Sequence, residues 1–439
     1  MLFTRWLSAL QSVPERTRST LLLWLGAAMV GVVAVLLAKC AEWASGGFHA
    51  LQSAYWWSPL LLVPLGGMLA RWLMQRCGPG AEGSGIPQAK ACLELAERPE
   101  VAGCLLSLRI AVAKFAGIVL GLGSGFVLGR EGPTVQIGAS IMFSLRKLAP
   151  QDTAVLRRQL ILVGGAAGIA AAFNTPLAGI VFAFEELARS VEEQTSGKLL
   201  GAVILAGVVS LALQGDYVYF GHIRVPGFDY GILLPVAIIG VLAGLIGGLF
   251  AWLCVHTRRW VPQSVQQFQR QYPYRFIAGI GLLIALCGLI APIHGSGAEV
   301  TSTAIDHAQA LPWYFLPLKL IGMVATFLTG LPGGIFAPSL ALGAGVGSWL
   351  APFFASTLTV KLMAIGMAGT LAAVTRAPLT SAIILMEMTD GHEMVISILA
   401  TTLVASTVAR LFFNTNLYHE LAERMLQTLP LAPAPEHKS

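Results

Sequence analysis

The chain has 439 residues, of which 56% are hydrophobic and only 11% charged, whereas roughly a quarter of a soluble domain is charged. That deficit excludes a water-covered globule. The formal charge of +6 does not indicate a nucleic-acid partner, because Lys and Arg fall in short segments between apolar runs instead of gathering on one face with interleaved aromatics.

Arg5, Arg16 and Arg18 precede the first long apolar run, residues 20–39. A run of about 18 residues or more crosses the hydrocarbon core as a helix. This one is too long for a signal h-region and lacks a small-residue cleavage site, so it reads as an uncleaved first helix. Many runs follow, among them residues 276–293 and 395–413. Two basic segments between runs, with Arg146, Lys147, Arg157 and Arg158 in one and Arg258, Arg259, Arg270 and Arg275 in the other, mark the cytoplasmic side. The polar segment 214–230 reads as an external loop. The six cysteines (Cys40, Cys77, Cys92, Cys104, Cys254 and Cys287) form no CxxC, and the eight histidines are scattered. The thiols are expected to be buried apolar fillers, and no metal or other cofactor is expected.

Sliding the chain along itself by roughly 200 residues exposes a weak repeat. Asn174-Thr175-Pro176-Leu177-Ala178 aligns with Arg376-Ala377-Pro378-Leu379-Thr380, and each precedes an apolar run ending at Glu185 or Glu387. Gly129-Arg130-Glu131-Gly132-Pro133 aligns with Gly334-Ile335-Phe336-Ala337-Pro338, and Gly83-Ser84-Gly85 with Gly295-Ser296-Gly297. The expected fold is an all-α membrane domain of two inverted-topology repeats, at about 20–213 and 231–425, with a short tail at 427–439. Gly/Pro breaks at matching positions of two halves point to a transporter whose site lies where broken helices meet. Gly117, Gly121, Gly125 and Gly129, and likewise Gly240, Gly244 and Gly248, are spaced for close helix packing. A dinucleotide-binding reading of Gly121-Leu122-Gly123 fails for want of a βαβ context.

Three segments share one form: Gly83-Ser84-Gly85-Ile86-Pro87, Gly129-Arg130-Glu131-Gly132-Pro133, and Gly333-Gly334-Ile335-Phe336-Ala337-Pro338. Proline suits the first helical turn, and glycine before it allows the turn and a close ligand approach. Each segment reads as a helix N-terminus in mid-membrane, where free N–H groups and the macrodipole attract an anion. A single such segment is equally an ordinary helix break; three in a duplicated chain are specific. A site built this way holds an anion without a fixed cation that would bind it too tightly to release.

With these motifs and Phe173-Asn174-Thr175-Pro176-Leu177-Ala178-Gly179, the chain resembles the CLC family of chloride channels and chloride/proton antiporters over nearly its whole length. The resemblance implies a homodimer in the bacterial inner membrane, each protomer with its own anion pathway. It places the anion at Ser84, Gly85 and Ile86, at the amides of Ile335 and Phe336, and at the hydroxyl of Tyr418. Serine at 84 matches chloride-preferring members, and intact GREGP and GSGIP motifs disfavour the fluoride-exporting branch.

Glu131 interrupts an apolar region, where an ionisable group suggests function; pairing with the adjacent Arg130 is geometrically poor. By the resemblance it is both gate and proton carrier, and Glu186 is the internal proton acceptor. Neighbours on a helix diverge by about 100°, so Glu185 is left a structural role. An ordinary helix-end carboxylate near Arg189 is the plainer reading of Glu186. Lys114 matches a family lysine that biases the pathway toward anions, or else it pairs with a carboxylate. Glu387 mirrors Glu185 and receives no transport role.

By the same resemblance, glutamate at 186 favours antiport of chloride and protons over the alternative, a passive chloride channel. An intramembrane enzyme needs a nucleophile and base, or metal ligands, converging in the bilayer. The apolar runs offer neither, so the chain is not expected to be an enzyme.

Overall fold

The computed structural model describes residues 15–149, 151–187, 193–215, 220, 223, 230–389 and 391–429. The tail from residue 430 onward, Arg5, Arg189 and most of the expected external loop lie outside them. Among the described residues, seven helices are long and apolar enough to cross a membrane. In those residues no strand forms beyond one antiparallel bridge between Gly129 and Gly334.

The first half consists of α1 (Glu15–Ala54), α2 (Pro59–Cys77), α3 (Ile86–Glu94), α4 (Pro99–Gly103), α5 (Leu108–Gly123), α6 (Glu131–Ser144), α7 (Ala154–Phe173), α8 (Pro176–Phe182) and α9 (Glu193–Gln214). The second consists of α10 (Leu233–Val255), α11 (Thr257–Trp260), α12 (Gln263–Gln271), α13 (Pro273–Ile290), α14 (Ala298–Asp306), α15 (Phe315–Thr329), α16 (Phe336–Leu350), α17 (Thr359–Thr375), α18 (Pro378–Thr389), α19 (Val395–Phe412) and α20 (Leu417–Thr428). Helix α1 runs well past Lys39, where the apolar run ends. The polar continuation is tolerated because Glu42 pairs with Arg130 at 2.9 Å.

The packing repeats. Helix α6 lies on α7 as α16 lies on α17, α1 on α9 as α10 on α19, and α2 on α5 as α13 on α15. Glycines explain the tightest pairs. A Cβ at Gly138 would collide with the carbonyl of Gly164, and one at Gly343 with that of Gly366, so the backbones of α6 and α7, and of α16 and α17, touch. Asn174 and Arg376, partners in the repeat, both adopt left-handed backbone at φ 58° and 62°, ending α7 and α17 alike.

The halves also clasp each other. The carboxylate of Glu185 accepts from the N–H of Leu379 (3.1 Å) and from the N–H and hydroxyl of Thr380 (2.6 and 2.7 Å), capping α18. Glu387 accepts from the N–H of Leu177 (3.2 Å) and Ala178 (2.7 Å), capping α8. Glu387 thus has a defined structural role that its sequence position did not disclose: each carboxylate meets the positive end of the other half's helix.

Two expectations need correction. Cys77 and Cys104 are exposed and Cys40 half-buried, so only Cys92, Cys254 and Cys287 are buried fillers; all six thiols are free. The first glycine run is not one helical seam, because α5 ends at Gly123 and Gly125 turns at φ 88°. The second run holds: Gly240, Gly244 and Gly248 face Val404, Ala405 and Ala409 of α19.

Candidate functional site

Each of the three Gly/Pro segments opens a helix. Helix α3 starts at Ile86 after Gly85 at φ 106°, α6 starts at Glu131, and α16 starts at Phe336. Their N-termini converge. Gly129 and Gly334 exchange two backbone hydrogen bonds of 2.7 Å, and Gly333 N–H donates to Gly83 O at 3.0 Å, so the three turns are zipped together. A Cβ on Gly132 would strike Ser84 Oγ, and one on Gly334 would lie 2.9 Å from Gly132 N. Here glycine is required by close approach rather than by backbone angle.

A fourth helix end joins them. Asn416 caps α20 by accepting from His419 N–H at 3.3 Å, which puts Tyr418 in its first turn. The buried Tyr418 ring stacks on Phe336 at 6.2 Å, and Phe336 also meets Phe173 and Phe182 at 6.1 Å each. Ser84, Ile335 and Tyr418 line one cavity of about 190 Å³ with Gly83, Gly333 and Gly334. Ser84 Oγ and Tyr418 Oη lie near each other, yet neither completes a hydrogen bond of good geometry among the described residues. The first N–H groups of α16 have no acceptor within their own helix. Two hydroxyls and a helix end with hydrogens to donate are the chemistry that solvates a small anion; the charged residue of the lining is Glu82, whose carboxylate accepts from Gly80 N–H at 2.9 Å. Gly85 and Ile86 are not in this lining: Gly85 packs on the carbonyl of Gly132, and Ile86 is buried in the core.

Glu131 is fully buried at the start of α6, its carboxylate against Gly129. Glu186 lies in a π-helical turn, Ala183–Leu187. The extra residue in that turn lets Glu185 reach α18 while Glu186 turns inward, where Lys90 Nζ on α3 meets it at 2.7 Å. Lys90 was not singled out in the sequence, although it lies four residues beyond Ile86 on the same short helix. Buried Tyr418 is close enough to both Glu131 and Glu186 to feel their charge.

Among the described residues Lys114 makes no direct ion pair, although the charge of Glu82 acts on it. Its ammonium donates to the carbonyls of Gly83 (2.6 Å), Ala81 (2.9 Å) and Glu82 (3.4 Å), holding the turn that carries Ser84. Sequence reasoning missed its repeat partner, the buried Lys319, which donates to Ile293 O (2.8 Å) and Gly295 O (3.2 Å). The offset of roughly 200 residues that relates the other motifs also relates these two lysines.

This fold of broken helices around an anion-solvating cavity is that of a membrane transport protein, and residues 66–410 match the family model described as voltage gated chloride channel. The chain belongs to that family and is a multi-pass membrane protein. It is 30% identical to the H(+)/Cl(-) exchange transporter ClcA of Citrobacter koseri over 94% of this chain and 90% of the relative. It is likewise 30% identical to that of Klebsiella pneumoniae, over 95% and 92%. Among solved structures it resembles a slow cyanobacterial Cl−/H+ antiporter, with a TM-score of 0.79 and 26% identity over 95% of this chain and 99% of that one. A CLC-type fluoride/proton antiporter shares the fold, with a TM-score of 0.74 and 24% identity over 93% and 98%.

Proposed function

We propose that this chain exchanges chloride for protons across the bacterial inner membrane, as a homodimer whose protomers each carry one anion pathway within a single two-repeat domain. The supporting observation is the convergence of Ser84, Ile335 and Tyr418 on one cavity beside a fully buried glutamate, Glu131. In this reading Ser84, Tyr418 and the amides of Ile335 and Phe336 hold dehydrated chloride. Ionised Glu131 competes with chloride for the same donors; protonated, it gives them up and swings away. Anion occupancy and proton carriage then exclude each other at one side chain, which is what couples them. Glu186 hands protons to the cytosolic side. Names of relatives agree: ClcA proteins are H(+)/Cl(-) exchangers. Those relatives are transporters rather than enzymes, and chemistry on a substrate forms no part of this reading.

The test is proton movement in vesicles holding a chloride gradient. Uphill proton flux is expected, and Glu186→Gln should abolish it while chloride flux continues. Chloride flux with no accompanying proton movement at any pH would overturn the proposal. The Lys90–Glu186 ion pair favours one second reading, a passive channel in which Glu186 is only a structural partner. A channel's reversal potential follows chloride alone, whereas an exchanger's also moves with pH.

A further inference from the structure

The segment between α10 and α13 carries Arg258, Arg259 and Arg270, Arg275 follows in the first turn of α13, and no Asp or Glu occurs from residue 256 to 275. Within it α12 turns two of its five glutamines to the protein, Gln266 Nε2 donating to Val261 O at 2.8 Å and Gln269 Nε2 to Leu328 O at 2.9 Å, while Gln263, Gln267 and Gln271 are exposed. Val265, Phe268 and Tyr272, spaced i, i+3 and i+7, are exposed as well, an apolar stripe with no partner among the described residues to cover it. Trp260 and Tyr274 flank the helix, tied by their polar atoms to Leu253 O (2.8 Å) and Gln75 Oε1 (2.6 Å). An apolar stripe turned outward, arginines alongside and aromatic anchors at both ends define a helix lying in the headgroup plane of a bilayer.

Where α12 meets the membrane domain, Arg258 and Arg270 line one cavity of about 220 Å³ with Thr257, Gln266, Gln269 and Leu328. Its lining contains no carboxylate. The cavity wall also includes Phe327, in the last turn of α15, and Phe327 lines the anion cavity as well. From that turn the chain bends at Gly330, φ 68°, into the segment that delivers Ile335.

We propose that Arg258 and Arg270 bind the phosphate of an anionic membrane lipid, and that the bound headgroup braces the end of α15 and thereby the anion site. Two guanidinium forks without a competing carboxylate suit a phosphate. The adjoining apolar stripe selects a lipid over free phosphate, since acyl chains have a surface to lie on. This site is separate from proton coupling, so its test does not depend on the exchange mechanism.

The experiment titrates the purified protein with phosphatidylglycerol in zwitterionic micelles, counting bound lipid by native mass spectrometry. Chloride efflux is measured in parallel from phosphatidylcholine vesicles with and without phosphatidylglycerol. The protein should retain phosphatidylglycerol and release chloride several-fold faster from the anionic vesicles. The double variant Arg258→Gln/Arg270→Gln should bind the lipid about thirtyfold more weakly and lose the acceleration, whereas Arg258→Lys/Arg270→Lys keeps part of both. Equal lipid retention by the protein and its glutamine variant would overturn the site. Unchanged acceleration in that variant would overturn the brace, and acceleration by soluble glycerol phosphate alone would overturn the lipid.

Discussion

The two Gly-Ser-Gly turns correspond in the repeat but differ in what they offer a ligand. Gly83 and Gly85 sit at φ 66° and 106°, Gly295 and Gly297 at 65° and 85°, and each turn is latched by a buried lysine, Lys114 or Lys319. In the second turn Ser296 Oγ accepts from Ala298 N–H at 3.3 Å, and Glu299 occupies the first turn of α14. One N–H of that helix end is taken by its own turn, and a carboxylate stands in its first turn. In the first turn Ser84 Oγ has no such partner, Ile86-Pro87 stands where Ala298-Glu299 would be, and the serine faces Tyr418. The comparison teaches that backbone shape supplies a helix end, while the residues of the first turn decide whether it remains available to an anion.

The largest effect that would sharpen this contrast is at Glu131. Glu131→Gln should eliminate proton flux while chloride flux persists, read as vesicle pH against chloride efflux; persistent proton flux would remove the side chain from the pathway. Next, Lys114→Met and Lys319→Met each strip a buried turn of its charged donor, at a cost of about 2 kcal/mol. Both should lower the midpoint of thermal unfolding in detergent alike, but only Lys114→Met should weaken chloride binding measured calorimetrically. An equal loss of affinity in both variants would break the distinction between the turns. Ser84→Ala should lower chloride affinity about fivefold, or ~1 kcal/mol, whereas Ser296→Ala should leave affinity unchanged and lose only a cap, also ~1 kcal/mol. Smallest are the reciprocal caps: Glu185→Gln and Glu387→Gln should each shift thermal stability by ~1 kcal/mol or less and by similar amounts, as their matched contacts require.

Much of this was legible along the chain because lipid imposes a severe rule. Backbone polar groups must be satisfied within the protein, so every Gly/Pro break in an apolar run needs a reason, and three such breaks marked the three helix ends of the site. The repeat was legible because both halves need glycine at the same close contacts, as at Gly138 and Gly343. Other features depended on partners far away in sequence. Gly85 and Ile86 share the motif with Ser84 but not its cavity, because Gly85 is spent on the approach of Gly132. Glu186 looked like a helix-end carboxylate and found Lys90, 96 residues earlier.

By itself the sequence determined a membrane-embedded helical duplication with interrupted helices and a costly lone glutamate at the start of one of them. Hydropathy, glycine and proline act locally, and so can be read locally. Only the tertiary structure decided which of the matching helix ends stays open, that Tyr418 joins it from the far end of the chain, and that Glu185 and Glu387 cap each other's halves. Those outcomes depend on which donors and acceptors the packed helices leave unsatisfied, a property of the assembled molecule that no single segment carries.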